Sequence, residues 1–218
     1  MGAKKALDWR EIDFALIDLD DTLLDRHFEN YFWYELLPKA YAKKNRVSLR
    51  EAKRQVNAKY DAVEGTLDWF DLNYWAKKLG IDVPGLAYEA SHLVRMHPDA
   101  PRFLKRLKKA GKTLFLVTNA HHHSVGAKMK GTGIKKHFKA VVSAFDFGLR
   151  KEDARFWKKL EKTIRFDKSR AVMVDNEPAV LRAAQKAGIR HAVLRPFGKP
   201  PKVPKDWVVV RNFDSLGP

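Results

Sequence analysis

Residues 13–25 read DFALIDLDDTLLD, in which a short apolar run, Phe14 to Ile17, drives straight into Asp18, Asp20 and Asp21. The run has the length and composition of a buried strand. Three carboxylates directly behind such a strand repel one another unless something cationic compensates them. This stretch therefore sets both the first strand of the fold and the place where its chemistry is expected.

Downstream, from Pro98 onward, short β-rich runs recur: TLFLVTN at 113–119, AVVSAF at 140–145, AVMVDN at 171–176 and HAVLRP at 191–196. Lys-rich segments with apolar residues at three- and four-residue spacing separate them. This alternation predicts a doubly wound α/β fold with a parallel sheet. WVVVRNF at 207–213 is expected as an edge strand, and RPFGKPPKVPKD before it as a surface loop.

Between the first strand and Pro98 the texture changes. NYFWYELLPKAYAKK, SLREAKRQVNAKYDAV and LDWFDLNYWAKKLG carry helical patterns and no strand pattern. Ser48 followed by Glu51 gives a capping-box signature for the second of these. An all-helical insert over residues 25–97 is thus expected to interrupt a core formed by 1–24 and 98–218.

With 218 residues, the chain is long enough to bury a sizeable core. It has no cysteine, which excludes disulfides and thiolate metal sites. No apolar run is long enough to cross a bilayer and the start lacks a signal peptide's apolar stretch, so a cytoplasmic location and no membrane partner are expected. The net charge of +17 resides almost wholly in residues 98–218, where 28 basic residues face 10 acidic ones. Helix-spaced Lys and Arg, as in RFLKRLKKAGK and RFWKKLEKTIR, usually form solvated outer faces. A polyanion-binding surface or attraction of small phosphorylated substrates are the functional readings of the same charge.

In a parallel α/β sheet the functional loops lie beyond the carboxyl ends of the strands. The first strand run leads into Asp18, Asp20, Asp21 and Thr22, the second into Thr118 and Asn119, the loop after the third into Lys151, and the fourth into Asp175 and Asn176. Each alone has a plainer reading as a helix cap, turn residue or one of many surface lysines. In this order on successive strand ends they form a constellation.

That constellation resembles the haloacid dehalogenase superfamily, with its Asp-x-Asp-x-Thr, Thr or Ser, Lys and final acidic pair. Within it, DLDDTLLD, NYFW, TLDWFDLNYW, LVTNAHHH and FGLRKEDARFW are most similar to bacterial GMP/IMP 5′-nucleotidases. The resemblance implies Mg²⁺-dependent hydrolysis of a phosphomonoester, with a purine nucleoside 5′-monophosphate as substrate. It implies Asp18 as nucleophile, Asp20 as general acid and base, and Thr118, Asn119 and Lys151 on the phosphoryl group. Asp18, the Asp20 carbonyl, Asp175 and Asn176 would hold the metal, oxygen donors that suit a hard cation. The resemblance also implies that Asp20, two positions after the nucleophile, favours phosphoester chemistry, since the superfamily's dehalogenases lack an Asp there.

Two positions depart from the family pattern. Asp21 stands where Gly is common, and Asn176 stands where the nucleotidases usually have a second carboxylate. Sugar phosphates or a phosphoprotein are the alternative substrates, and a basic nucleic-acid-binding protein on the same scaffold is the reading from another class.

The cap is rich in aromatics: Tyr31, Phe32, Trp33, Trp69, Phe70, Tyr74 and Trp75. Helical spacing predicts that most are core, with one or two able to stack on a base. Asn30 and Asn73 are candidate polar readers of that base. His121, His122 and His123 are expected as loop or helix-start residues rather than metal ligands.

Overall fold

The computed structural model describes residues 7–218, so residues 1–6 of the expected core lie outside the described residues. Five strands and a short sixth form one parallel sheet: β1 Phe14–Ile17, β2 Thr113–Thr118, β3 Ala140–Ser143, β4 Ala171–Asp175, β5 His191–Leu194 and β6 Val208–Val209. Their spatial order is β3-β2-β1-β4-β5-β6. β1 is therefore central, and the order reverses beside it. Ile17 pairs with Leu116 on one side and Val174 on the other, so the residues that come after these strands emerge along one edge.

These strands form because their sequences suit burial on both faces. All five residues of β4 are buried, as are all but the first of β1 and β2, which is why they read as unbroken apolar runs rather than alternating ones. The edge strand expected at 207–213 is shorter, with only Val208 and Val209 paired to β5, and residues 195–206 form the loop before it.

The chain divides into two compact units. Unit 1 comprises residues up to 25, with 96–118 and 134–218, and holds the whole sheet. Unit 2 comprises 26–95 together with 119–133. Its helices are α1 His27–Tyr31, α2 Leu37–Asn45, α3 Leu49–Asp61, α4 Leu72–Leu79 and α5 Val83–Glu89, and it also contains α7, His122–Thr132. Unit 1 contributes α6 Ala100–Lys109, α8 Ala154–Ile164 and α9 Pro178–Lys186.

In unit 2 the run from α1 to α2 is helical throughout, but Phe32–Leu36 widens to a π-turn. Pro38 explains the neighbourhood, since it has no N–H to return to the preceding turn. Ser48 caps α3 by accepting from the Glu51 amide at 3.2 Å. The Glu51 carboxylate bonds instead to Arg54 and Gln55, so half of the expected box is made.

The aromatic residues of unit 2 pack edge to face. Tyr60 and Trp75 lie 4.8 Å apart and Trp33 and Tyr60 5.7 Å apart. The Tyr60 hydroxyl donates to the Trp33 carbonyl at 3.0 Å, and burial pushes its phenol pKa upward. Phe32 and Trp75 are fully buried; Tyr31, Trp33, Trp69, Phe70 and Tyr74 are half-buried.

α7 joins unit 2 through close packing. A Cβ on Gly131 would lie 2.0 Å from the Ser91 carbonyl oxygen, so only glycine permits the approach. The Lys128 ammonium, 1% exposed, meets Glu29 at 2.6 Å, and Glu29 also accepts from Trp33 Nε1 at 2.6 Å.

Candidate active site

The carboxyl ends of β1 and β4 place Asp18 and Asp175 side by side in unit 1. Asp18 continues β1, its N–H donating to the Val174 carbonyl at 3.0 Å. Asp175 is the last residue of β4, and its Oδ1 accepts from the Glu177 amide at 2.8 Å. Both are buried.

Lys151 closes the arrangement. Its Nζ donates to Asp18 Oδ1 at 2.5 Å, to Asp175 Oδ2 at 2.7 Å and to the Val117 carbonyl at 3.2 Å. The turn that carries it is held by α8, because Trp157 Nε1 donates to the Lys151 carbonyl at 2.7 Å. Trp157, Phe156 and Leu160 form the buried face of α8. Burying Phe156 contributes roughly 1.5–3 kcal/mol, so the packing that fixes this helix also fixes the lysine.

Burial sets the electrostatics. Desolvation pushes the Asp18 carboxyl up to about 6, with the pull of Lys151 opposing and the charge of Asp175 adding. Burial likewise raises Asp175 despite Lys151. Burial works against the Lys151 ammonium, yet Asp175 and Asp18 together hold its pKa above the ordinary lysine range. One cation faces two anions, which leaves the ionised cluster with a net negative charge.

Thr118 ends β2, 1% exposed and in register with Ser143. Asn119 comes next, half-buried, as the first residue of the second segment of unit 2. Asp20 is half-buried in the turn after β1 and bridges to Leu24. Asn176 Oδ1 accepts from Thr22 Oγ1 at 3.4 Å, and its Nδ2 donates to Glu177 at 3.3 Å. Thr22 is fully buried and its side chain also bonds Asp18. Thr22 belongs with the site on geometry, although sequence reasoning assigns it no role; its one signal is its place in the first motif. Asp21, where Gly is common in the family, adopts φ +59°, the left-handed region that glycine enters freely.

Among the described residues no three His, Cys, Asp or Glu side chains group as a metal site. The donors brought together at the strand ends are the carboxylates of Asp18 and Asp175 and, linked to Asp18 through Thr22, the Asn176 amide oxygen, all oxygen. With the net negative charge left by Lys151, this set fits a hard divalent cation better than a soft one.

A parallel sheet with paired strand-end carboxylates at the point where strand order reverses, bridged by a buried lysine, defines a Rossmann-like α/β enzyme. Residues 12–188 match the family described as haloacid dehalogenase-like hydrolase. The chain belongs to that family. It is 36% identical over 185 residues to the GMP/IMP nucleotidase YrfG of Escherichia coli (strain K12), covering 85% of this chain and 83% of that one. In fold it is similar to an HAD phosphatase from Thermococcus onnurineus, with TM-score 0.81, 21% identity, and 93% and 95% of the two chains covered. CbbY from Rhodobacter sphaeroides, in complex with phosphate, gives 0.57 at 15% identity over 93% and 95%. The chain is thus a hydrolase of the haloacid dehalogenase superfamily, with nucleotidase and phosphatase relatives. No helix among the described residues is long and apolar enough to cross a membrane.

Proposed function

We propose that this protein is a Mg²⁺-dependent phosphomonoesterase that hydrolyses purine nucleoside 5′-monophosphates through an aspartyl phosphate on Asp18. The observation that carries this reading is the Lys151 ammonium held between Asp18 and Asp175. A buried cation fixed beside a carboxylate is suited to hold the oxygens of an anionic phosphoryl group against a nucleophile that would otherwise repel it. The 36% identity to a GMP/IMP nucleotidase supports the nucleotide.

The ionised Asp18 carboxylate attacks phosphorus, and the bond from phosphorus to the ester oxygen breaks. Asp20 gives its proton to the departing oxygen. The resulting Asp20 carboxylate then takes a proton from water as that water attacks the same phosphorus, which frees Asp18 and releases phosphate. Thr118 Oγ1 and Lys151 Nζ bind phosphoryl oxygens throughout. Asp18, Asp175, Asn176 and the Asp20 carbonyl would hold Mg²⁺, which when bound neutralises charge on the phosphoryl oxygens. Thr22 orients Asp18 and Asn176.

The test is phosphate release from a panel of nucleoside monophosphates, sugar phosphates and phosphoserine peptides, with and without Mg²⁺. Turnover of purine monophosphates that needs Mg²⁺ and falls by at least about 10³-fold in Asp18→Asn is expected. Turnover of sugar phosphates or phosphopeptides alone would overturn the substrate. Turnover that survives Asp18→Asn would overturn the mechanism.

A further inference from the structure

The turn after β1 carries Asp20 in a conformation that needs support from outside the turn. Asp21, at φ +59°, lies in a region that is costly for an L-residue, and a residue persists there only where its surroundings hold it. Within the turn, the Leu23 and Leu24 amides both donate to the Leu19 carbonyl at 2.9 Å. These bonds close the loop but do not involve the Asp21 peptide itself.

The segment packed against the turn is 96–99, which belongs to unit 1 as the turn does. The His97 amide donates to the Leu23 carbonyl at 2.9 Å, and Met96 bridges Leu24 in antiparallel fashion. Pro98 favours this pairing, because the residue before a proline is pushed toward extended backbone. The other end of the segment is anchored at the start of α6. There the His97 carbonyl accepts from the Ala100 amide at 3.0 Å, and Asp99 is clamped by Arg195 at 3.0 Å and by the Phe213 amide at 2.6 Å. His97 is thus mounted on a firmly held lead-in to a helix.

Its half-buried ring hydrogen-bonds the Asp21 backbone. Burial lowers the ring's pKa and Arg195 adds to the fall, while Asp99, Asp25 and the bond to Asp21 oppose it. A bond that opposes the fall is one the ring donates, since donation favours the protonated ring, so the acceptor is the Asp21 carbonyl. An Asp21 released from this bond can leave the left-handed region. Its peptide planes then rotate, and with them Asp20 before it and Thr22 after it.

We propose that His97 is a positioning residue for the hydrolysis: its ring N–H holds the Asp21 carbonyl and so fixes the Asp20 carboxyl where it can give a proton to the leaving oxygen. This rests on the role of Asp20 in the reading above. His97 itself takes no part in the transfer. A misplaced general acid slows departure of an alkoxide, which needs the proton, and barely affects a nitrophenolate, which does not.

The experiment compares kcat/KM on p-nitrophenyl phosphate with kcat/KM on two alkyl phosphates, GMP and glycerol 3-phosphate, in the wild type, Asp20→Asn, His97→Ala, His97→Asn and His97→Gln. This parameter covers the steps up to phosphoryl transfer, so the later attack of water does not enter. His97→Ala is expected to lose about tenfold or more on whichever alkyl ester the wild type hydrolyses, and less than about threefold on p-nitrophenyl phosphate. At least one of His97→Asn and His97→Gln, whose amide N–H groups reproduce the reach of Nδ1 and Nε2, should recover most of the loss. Equal losses on both ester classes, or no recovery with either amide, would overturn the inference. A selective loss in Asp20→Asn without one in His97→Ala would also overturn it and leaves the aspartyl-phosphate mechanism standing; no selective loss in either removes Asp20 as the acid and the inference with it. NMR of the wild type needs no variant to fold: a His97 ring N–H protected from solvent exchange is expected, and a freely exchanging one would sink the proposal.

Discussion

The Lys151 ammonium lies 2.5 Å from Asp18 Oδ1 although 133 residues separate them in sequence. Both groups are nearly inaccessible, so removing the lysine leaves Asp18 and Asp175 buried with no compensating charge. Breaking a buried pair in this way typically costs about 3–5 kcal/mol. Lys151→Met is expected to lower Tm by roughly 10 °C in calorimetry and to reduce phosphatase kcat/KM by at least about 10²–10³-fold. Lys151→Arg should not restore activity, because a planar fork cannot occupy the place of a compact ammonium with three acceptors around it. Wild-type turnover in either variant would count against the role of Lys151.

Asp21 poses a backbone question. At φ +59° an L-residue carries a strain of roughly 1–2 kcal/mol that glycine does not. Asp21→Gly should therefore be more stable than Asp21→Ala by about 1 kcal/mol, the reverse of their order in a helix interior. Asp21→Val should fall below both, since a β-branched side chain is the worst suited to this region. Urea midpoints of the three variants give the order directly. An alanine variant as stable as the glycine one would show that the turn after β1 is not held at positive φ in solution.

The parts of this molecule that are legible in sequence are those fixed by local pattern. β1, β2 and β4 are buried on both faces, and their runs of Leu, Val, Ile and Phe announce it. The residues at or just past their carboxyl ends share one sheet edge as a consequence of parallel topology, which is how Asp18, Thr118 and Asp175 can be picked out without any distance; Lys151, in the loop after β3, joins them through the resemblance to the family motifs. The membership of 119–133 in unit 2 is not legible, because it depends on Gly131 meeting the Ser91 backbone and Lys128 meeting Glu29, contacts about 40 and 100 residues apart in sequence. In sequence Lys128 resembles every other lysine of a lysine-rich chain. The box at Ser48 is half-formed for a local reason that the four-residue signature does not contain: Glu51 has two competing partners, Arg54 and Gln55, one helical turn away.

Asp99 and Arg195 form a second buried pair that no motif marks. Arg195 donates to Asp99 Oδ1 at 3.0 Å, and the Phe213 amide donates to Oδ2 at 2.6 Å. Burial pushes the Asp99 carboxyl up, but the Phe213 amide and Arg195 together hold it below its ordinary value. A depressed carboxylate stabilises the folded state above its unfolded pKa of about 3.9 and loses that contribution as pH falls through the folded value. Asp99→Asn lacks the charge at every pH. The Tm difference between wild type and Asp99→Asn is therefore expected to be largest near pH 7 and to shrink as pH is lowered from about 4 toward 3. A difference that stays constant across that range would mean that Asp99 does not act through its charge.

Gly126 and Gly131 lie on the same helix, α7, yet alanine should affect them differently. Alanine in a helix interior gains about 1 kcal/mol over glycine, so each substitution sets that gain against the contact its Cβ would make. At Gly131 the Cβ would meet the Ser91 carbonyl oxygen at 2.0 Å and its carbon at 3.1 Å, backbone atoms that cannot step aside without moving the segment that holds them. Overpacking of this kind typically costs about 1–3 kcal/mol or more, so the clash wins and Gly131→Ala is destabilising. At Gly126 the Cβ would meet the Tyr88 hydroxyl at 2.1 Å, the far end of a side chain that can rotate away. There the helix gain offsets most of the cost, and Gly126→Ala should lie within about 1 kcal/mol of wild type. Hydrogen exchange adds a spatial readout: Gly131→Ala should raise exchange across 119–133 and around Ser91 while leaving the sheet protected. If both variants unfold at the same urea concentration, α7 does not approach Ser91 as closely as this geometry requires.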